Sequence, residues 1–172
     1  MNTLAHLHSR HLNTSLYNMH VDSEENVVTF FLFNLSGQVV GYQQYRPGAS
    51  KEQNNDPRNG RYYTYVTPNT LGVWGLETFL YKTDVLFVTE GVFDACRLHN
   101  LGLPAVAVLS NNPKGLANWL WSLARWVVVV ADNDKAGLAL TKYGNDALVC
   151  DSEKDLGDMS DAEVKLLLSM YL

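Results

Sequence analysis

With 172 residues, 47% of them hydrophobic and 18% charged, the chain is long enough to bury a core and too apolar to remain disordered. Its formal net charge of -5 excludes the general excess of Lys and Arg with which a stand-alone nucleic-acid binder neutralises phosphate. Contact with a polynucleotide would need a local basic patch, a bridging metal or a partner protein.

Leu4, Leu7, Leu12 and Leu16 fall near helical spacing and predict a short amphipathic helix within the first 20 residues. His6, His8, His11 and His20 lie among them with no acid or cysteine close in sequence, so they read as a part-exposed helix or loose terminus rather than a metal site. From Val27 the pattern changes to strands. Val27 to Phe33 is β-branched and aromatic, Asn34 to Gly37 supplies a turn, and Gln38 to Tyr45 returns, which predicts a β-hairpin. Arg46 to Gly60, rich in Asn, Gly, Pro and Ser, is an exposed loop, and Arg61 to Val66 a third strand. Tyr63 and Tyr65 share a face of that strand and could stack on bases, although cross-strand packing in a small sheet accounts for them more simply. An irregular junction with Gly72, Trp74 and Gly75 follows, then a helical turn or two over Leu76 to Tyr81. We place a β-rich subdomain at residues 1–82 and an α/β domain at 83–172.

Beyond Thr83 strands and helices alternate: strand Val85–Thr89, helix Val92–Leu101, strand Ala105–Leu109, helix Gly115–Arg125, strand Trp126–Ala131, helix Ala136–Tyr143, strand Ala147–Cys150 and helix Asp161–Tyr171. Continuous apolar runs such as Val127 to Val130 mark strands buried on both faces, and such alternation builds a mostly parallel sheet flanked by helices. Gly102 suits a left-handed helix cap, and Ser160 with Glu163 a capping box. Trp119, Trp121 and Trp126 read as core and helix packing. Cys96 and Cys150 stand far apart in apolar surroundings, giving neither a zinc ribbon nor a disulfide framework and fitting a reducing compartment. No apolar run approaches the ~20 residues of a membrane span, and no leader pattern opens the chain, so a cytoplasmic protein with no membrane partner is expected.

Three acids fall where buried strands should end: Glu90, followed by Gly91, and Asp132 and Asp134, followed by Gly137. Ligands of open α/β sheets bind at the carboxyl ends of the strands. If the strand persists, Asp132 and Asp134 point to one side and form, with Glu90, a carboxylate cluster for a hard divalent cation, which takes oxygen ligands together with substrate phosphates. Glu90 would be a further ligand or the group that moves a proton on a reacting hydroxyl. Each acid taken singly could equally be a helix N-terminal charge. Lys114, after a strand end, could touch phosphate or lie at a solvated helix start, and Lys135, inside the acidic motif, could help hold a triphosphate.

The stretches Val-Thr-Glu90-Gly91-Val-Phe-Asp94-Ala and Val-Ala-Asp132-Asn-Asp134-Lys135-Ala136-Gly137 resemble the two signatures of the Toprim domain, shared by bacterial and bacteriophage primases, topoisomerases and certain nucleases. The primase form is nearest. Glu153-Lys154-Asp155-Leu-Gly-Asp158 resembles its downstream element, and Gly37 to Arg46, Arg61-Tyr62 and Leu71 to Leu76 resemble the β-rich subdomain that precedes Toprim in primases. The resemblance implies a nucleotidyltransferase using Mg²⁺ or Mn²⁺, with Glu90 as acid/base or metal-organising group, Asp132 and Asp134 as metal ligands and Asp155 as an auxiliary acid. Arg46 and Arg61 match basic positions that contact template or nucleotide. With no cysteine-rich zinc module and no helicase segment, the implied protein is a minimal bacteriophage primase core. It would join nucleoside triphosphates into RNA primers on single-stranded DNA, assisted by a separate helicase or zinc-bearing subunit. A Toprim nuclease and a non-catalytic Toprim binding module are the other readings.

Overall fold

The computed structural model describes residues 2–50, 56–110, 113–150 and 154–172. They pack as two units, Met1–Trp74 and Gly75–Leu172.

The first unit opens with helix α1 (Thr3–Ser9), followed by four antiparallel strands, β1 (Met19–Asp22), β2 (Val27–Phe33), β3 (Val39–Tyr45) and β4 (Tyr62–Val66), paired in that order. Period two governs their burial: Val28, Phe30 and Leu32 turn inward while Val27, Thr29, Phe31 and Phe33 do not. The inward set is completed by the buried Leu7, Leu12, Tyr17, Val73 and Trp74, with the Trp74 ring 4.5 Å from Tyr17 and 6.0 Å from Phe30. The expected hairpin is present. Its turn is held by Asn34, whose Oδ1 accepts from the N–H groups of Ser36 and Gln38 at 3.0 Å each. Two features differ from expectation. The first helix stops at Ser9, because His11 takes a left-handed conformation (φ 61°) that ends the turn. Met19–Asp22 then adds an edge strand, whose four residues are too few and too evenly part-buried to show alternation. His6, far from a ligand cluster, bonds Tyr45 through Nε2 and the phenol at 2.7 Å. Of the Arg46 to Gly60 loop, residues 51–55 lie outside the described residues.

The second unit holds β5 (Val85–Thr89), α2 (Val92–Asn100), β6 (Ala105–Ala107), α3 (Ala117–Ser122), β7 (Trp126–Ala131), α4 (Lys135–Leu140), β8 (Asp146–Val149) and α5 (Asp161–Leu167). All its strand pairs are parallel, in the order β6-β5-β7-β8. The runs are buried as their composition demands, Leu86 to Thr89 and Val127 to Ala131 without a break; each buried Val, Leu or Phe side chain among them contributes about 1.5–3 kcal/mol. Gly102 has φ 75° and its N–H bonds His99 O, and Ser160 with Glu163 forms the capping box. The helices are shorter than predicted, their ends tightened into 3-10 turns at Lys114–Leu116 and Thr141–Tyr143. Leu76–Thr78 is likewise one 3-10 turn. Trp121 and Trp126 are exposed rather than core, since one lies on the solvent side of α3 and the other opens β7; Trp119 packs on Phe79 at 6.0 Å. No helix among the described residues is long and apolar enough to cross a membrane.

Thr78 ties the segment that follows Trp74 into the second unit, Gly75–Leu172. Its Oγ1 accepts from Ala105 N–H at 3.1 Å and lies 3.1 Å from His99 Nε2, tying the 3-10 turn to β6 and α2. His99 is buried and donates from Nε2 to Ala105 O at 2.9 Å. Burial holds its pKa down at about 4 against an ordinary 6.5. The unfolded chain takes up a proton below pH 6.5 that the folded state resists, so stability falls as pH drops from 6.5 toward 4, by about 3 kcal/mol. Urea denaturation across that window should show a wild-type loss larger than that of His99→Gln by about this amount; equal losses would contradict it.

Candidate active site

The chain leaves β5 to form β6 on one side, then crosses to form β7 on the other. The β5/β7 pair is therefore the switch point of the sheet, and its carboxyl edge is where an open α/β sheet offers a crevice. Glu90 directly follows β5 and Asp132 directly follows β7, so the two central strands deliver one acid each to that edge.

Glu90 is half-buried, and its carboxyl is pushed above the ordinary carboxylate range, first by burial and then by the negative charges of Asp132 and Asp134. Asp132 and Asp134 thus both act on Glu90, opposing its ionisation. They do not project as period-two strand positions, because β7 ends at Ala131. Asp134 instead caps α4, its Oδ1 accepting from Gly137 N–H at 2.7 Å, a bond that offsets one orphan donor of the helix. Gly137 fixes the approach: a Cβ there would stand 2.2 Å from Asp132 O and 2.7 Å from Asp132 N. Only a residue without a side chain lets the first turn of α4 lie against Asp132.

Among the described residues, no three His, Cys, Asp or Glu groups gather into a set that could hold a metal ion. Glu90, Asp132 and Asp134 are near enough for charge to act on Glu90 without making such a set, so a hard cation at this edge would take one or two of their carboxylates together with waters and substrate phosphates. Asp155 is at the N-cap of a 3-10 turn, Leu156–Asp158, with its Oδ1 accepting from Asp158 N–H at 2.9 Å. Residues 151–153 before it, including Glu153, lie outside the described residues. Lys135 is exposed on the first turn of α4 beside Asp134. Lys114 opens a 3-10 turn, while its side chain and residues 111–112 lie outside what the structure describes. Arg46 and Arg61 belong to the first unit and are brought together there, Arg46 N–H bonding Arg61 O at 2.9 Å.

Two contributors were not singled out from sequence. Asp94 in α2 accepts from Gly157 N–H at 2.9 Å, and the buried Arg97 donates to Met159 O at 2.8 Å and pairs with Asp161 at 2.7 Å. Together they fasten the segment containing Asp155 to the helix that starts beside Glu90. The Glu-Gly-x-x-Asp spacing carried this signal, without saying what the aspartate would hold. Leu109, at φ 54°, donates its N–H to Glu90 O at 2.9 Å; a left-handed leucine costs roughly 1–2 kcal/mol, and nothing in an apolar run announces it.

No protein-family model matches the chain, and no curated protein does. Solved structures do. A DnaG catalytic core superposes with TM-score 0.62 at 20% identity, covering 84% of this chain and 53% of that one. The E. coli primase catalytic core gives 0.59 at 18%, with 84% and 52% covered. The primase fragment of the bacteriophage T7 primase-helicase gives 0.58 at 13%, with 84% and 62% covered. The fold is therefore that of primase catalytic cores, and the chain spans about half the length of the first two. Further neighbours are an Aquifex aeolicus primase comprising zinc-binding and RNA polymerase domains and a DnaG catalytic domain bound to single-stranded DNA.

Because Asp132 raises the Glu90 pKa only after burial has done so, Asp132→Asn should lower that pKa without returning it to the ordinary value, as read by carboxyl carbon NMR titration. An unchanged pKa would mean that the two acids do not share a field. Gly137→Ala should cost about 1–3 kcal/mol of unfolding free energy, the range for overpacking, measured by urea denaturation.

Proposed function

We propose that the chain is a Toprim-type primase core, a nucleotidyltransferase that joins ribonucleoside triphosphates on a single-stranded DNA template. The observation that carries this reading is the coupling of Glu90 to Asp132 and Asp134 at the switch-point edge of a primase-core fold. Asp132 and Asp134 would hold Mg²⁺ or Mn²⁺, with Asp155 auxiliary to them. A bound cation supplies charge neutralisation for the triphosphate and lowers the cost of in-line displacement.

The residues divide the remaining work. Glu90 accepts the proton of the attacking ribose 3′-hydroxyl, whose oxygen bonds to the α-phosphorus as the α–β anhydride bond breaks and pyrophosphate departs. A carboxyl pushed above its ordinary pKa is a better base once ionised, so the rate should rise with pH as Glu90 deprotonates. Lys135, and Lys114 at the end of the β6 connection, would pair with triphosphate oxygens, and Arg46 and Arg61 with template phosphates. A separate helicase or zinc-bearing subunit is the expected partner, in line with an Aquifex aeolicus primase that has a zinc-binding domain and a bacteriophage T7 protein that is both primase and helicase.

The test is primer synthesis from labelled ribonucleoside triphosphates on single-stranded DNA with Mg²⁺ or Mn²⁺, with and without a helicase partner. Short RNA products are expected, reduced about 100-fold or more in Asp132→Ala and Asp134→Ala and about 10²–10⁴-fold in Glu90→Gln. Strand cleavage with no dinucleotide product under any condition would replace this reading with a nuclease.

A further inference from the structure

At the end of the second unit's sheet opposite the acids, four large apolar side chains stay in solvent where β5 and β7 begin: Leu80 at 86% exposure, Trp121 at 63%, Trp126 at 52% and Tyr81 at 39%. The backbone gathers them. Trp126 opens β7 opposite Val85, and its N–H bonds Asp84 O at 2.7 Å. Arg125 beside it donates from Nη2 to Phe79 O at 2.8 Å and to Tyr81 O at 3.1 Å, and its guanidinium lies 4.7 Å from the centre of the Phe79 ring. Trp119 packs on that same ring, so α3, whose last turn carries Trp121, is held against the segment that enters β5.

These contacts account for Phe79 and Trp119 and leave the outer four side chains facing water. Apolar residues scattered singly over a surface need no explanation. These four are fastened into one place and together present roughly 500 Å². Two such patches face to face would remove roughly 1,000 Å² from water, the area at which a specific protein interface begins. Trp and Tyr are also the side chains that anchor such interfaces.

Charge at the rim selects the occupant. Arg125 is turned inward onto two carbonyls, so the exposed charges of residues 79–84 are Lys82 and Asp84, one of each sign. A rim without net charge gives no attraction to a polyanionic strand or an acidic membrane surface. It does match itself. In a two-fold contact residue i meets j while j meets i, so Lys82 of one copy pairs with Asp84 of the other, and the pair occurs twice.

We infer that this edge is the contact surface of a symmetric dimer of the chain, with Leu80, Tyr81, Trp121 and Trp126 at its centre and Lys82 and Asp84 at its rim. Asp132 follows the other end of β7, about 20 Å away along the strand. The second copy therefore leaves both acidic edges open.

The test is sedimentation equilibrium of the full chain over a range of micromolar concentrations. Wild type should pass from monomer to dimer and go no further, since a two-fold contact closes on itself. Trp121→Ser and Trp126→Ser should each raise the dissociation constant at least about 10-fold, the loss expected of an aromatic anchor. Leu80→Ser should weaken the dimer too, and because that side chain is almost wholly in solvent the variant keeps the test decisive if a tryptophan variant misfolds. Leu138→Ser, which removes an exposed leucine on α4, should dimerise as wild type does. Lys82→Glu and Asp84→Lys should each weaken the dimer, and the double variant should restore it, which a general loss of stability would not produce. A wild-type chain that stays monomeric throughout would overturn the inference and leave the patch to a different protein. So would a dimer that tolerates the serine variants, or a charge-reversed double variant no tighter than its single parents.

Discussion

The parallel pairing of β5 with β7 is the constraint on which the second unit depends. Leu86 to Thr89 and Val127 to Ala131 are buried without a break, which makes these strands a stable centre but leaves no room for charge inside the sheet. The acids that follow them must emerge at the carboxyl edge, and because the strands are neighbours they emerge together. What burial contributes in stability is partly offset there: Glu90 is half-buried beside two like charges and its ionisation is disfavoured.

The surroundings of the acids are consistent with that account. Asp134 is steadied by capping α4, Gly137 lets the helix close against Asp132, and Leu109 accepts a strained conformation while its N–H holds the Glu90 carbonyl. On the far side of α2, Asp94 and Arg97 anchor the segment that carries Asp155. Each fixes backbone near a carboxylate.

Much of this was legible in the sequence. The unbroken valines of β7 and the strand–helix alternation announce a parallel sheet, and Glu90-Gly91 and Asp132-x-Asp134 at strand ends announce the edge. The rest was hidden for physical reasons. Strand alternation implied that Asp132 and Asp134 would point together, but a helix cap needs an acceptor at Asp134 and the strand gives way to it. The edge strand Met19–Asp22 has too few residues to carry a pattern, and the helix before it is cut short by a backbone conformation at His11 that no periodicity encodes. Trp121 and Trp126 were expected in the core on hydrophobicity alone, which does not report which side of a helix or which end of a strand a residue occupies. The pairing of Arg46 with Arg61 joins positions 15 apart in the chain, a matter of register that local composition does not show.

The central claim is that Glu90, Asp132 and Asp134 act as one divalent-cation centre completed by a nucleotide. Electron paramagnetic resonance of a Mn²⁺ titration tests it directly, comparing wild type with the double variant Asp132→Asn, Asp134→Asn, each with and without a ribonucleoside triphosphate. The account predicts a wild-type site that tightens when the triphosphate is added and a double variant that shows neither the site nor the tightening. Equal Mn²⁺ affinity in the two proteins, with or without nucleotide, would contradict it.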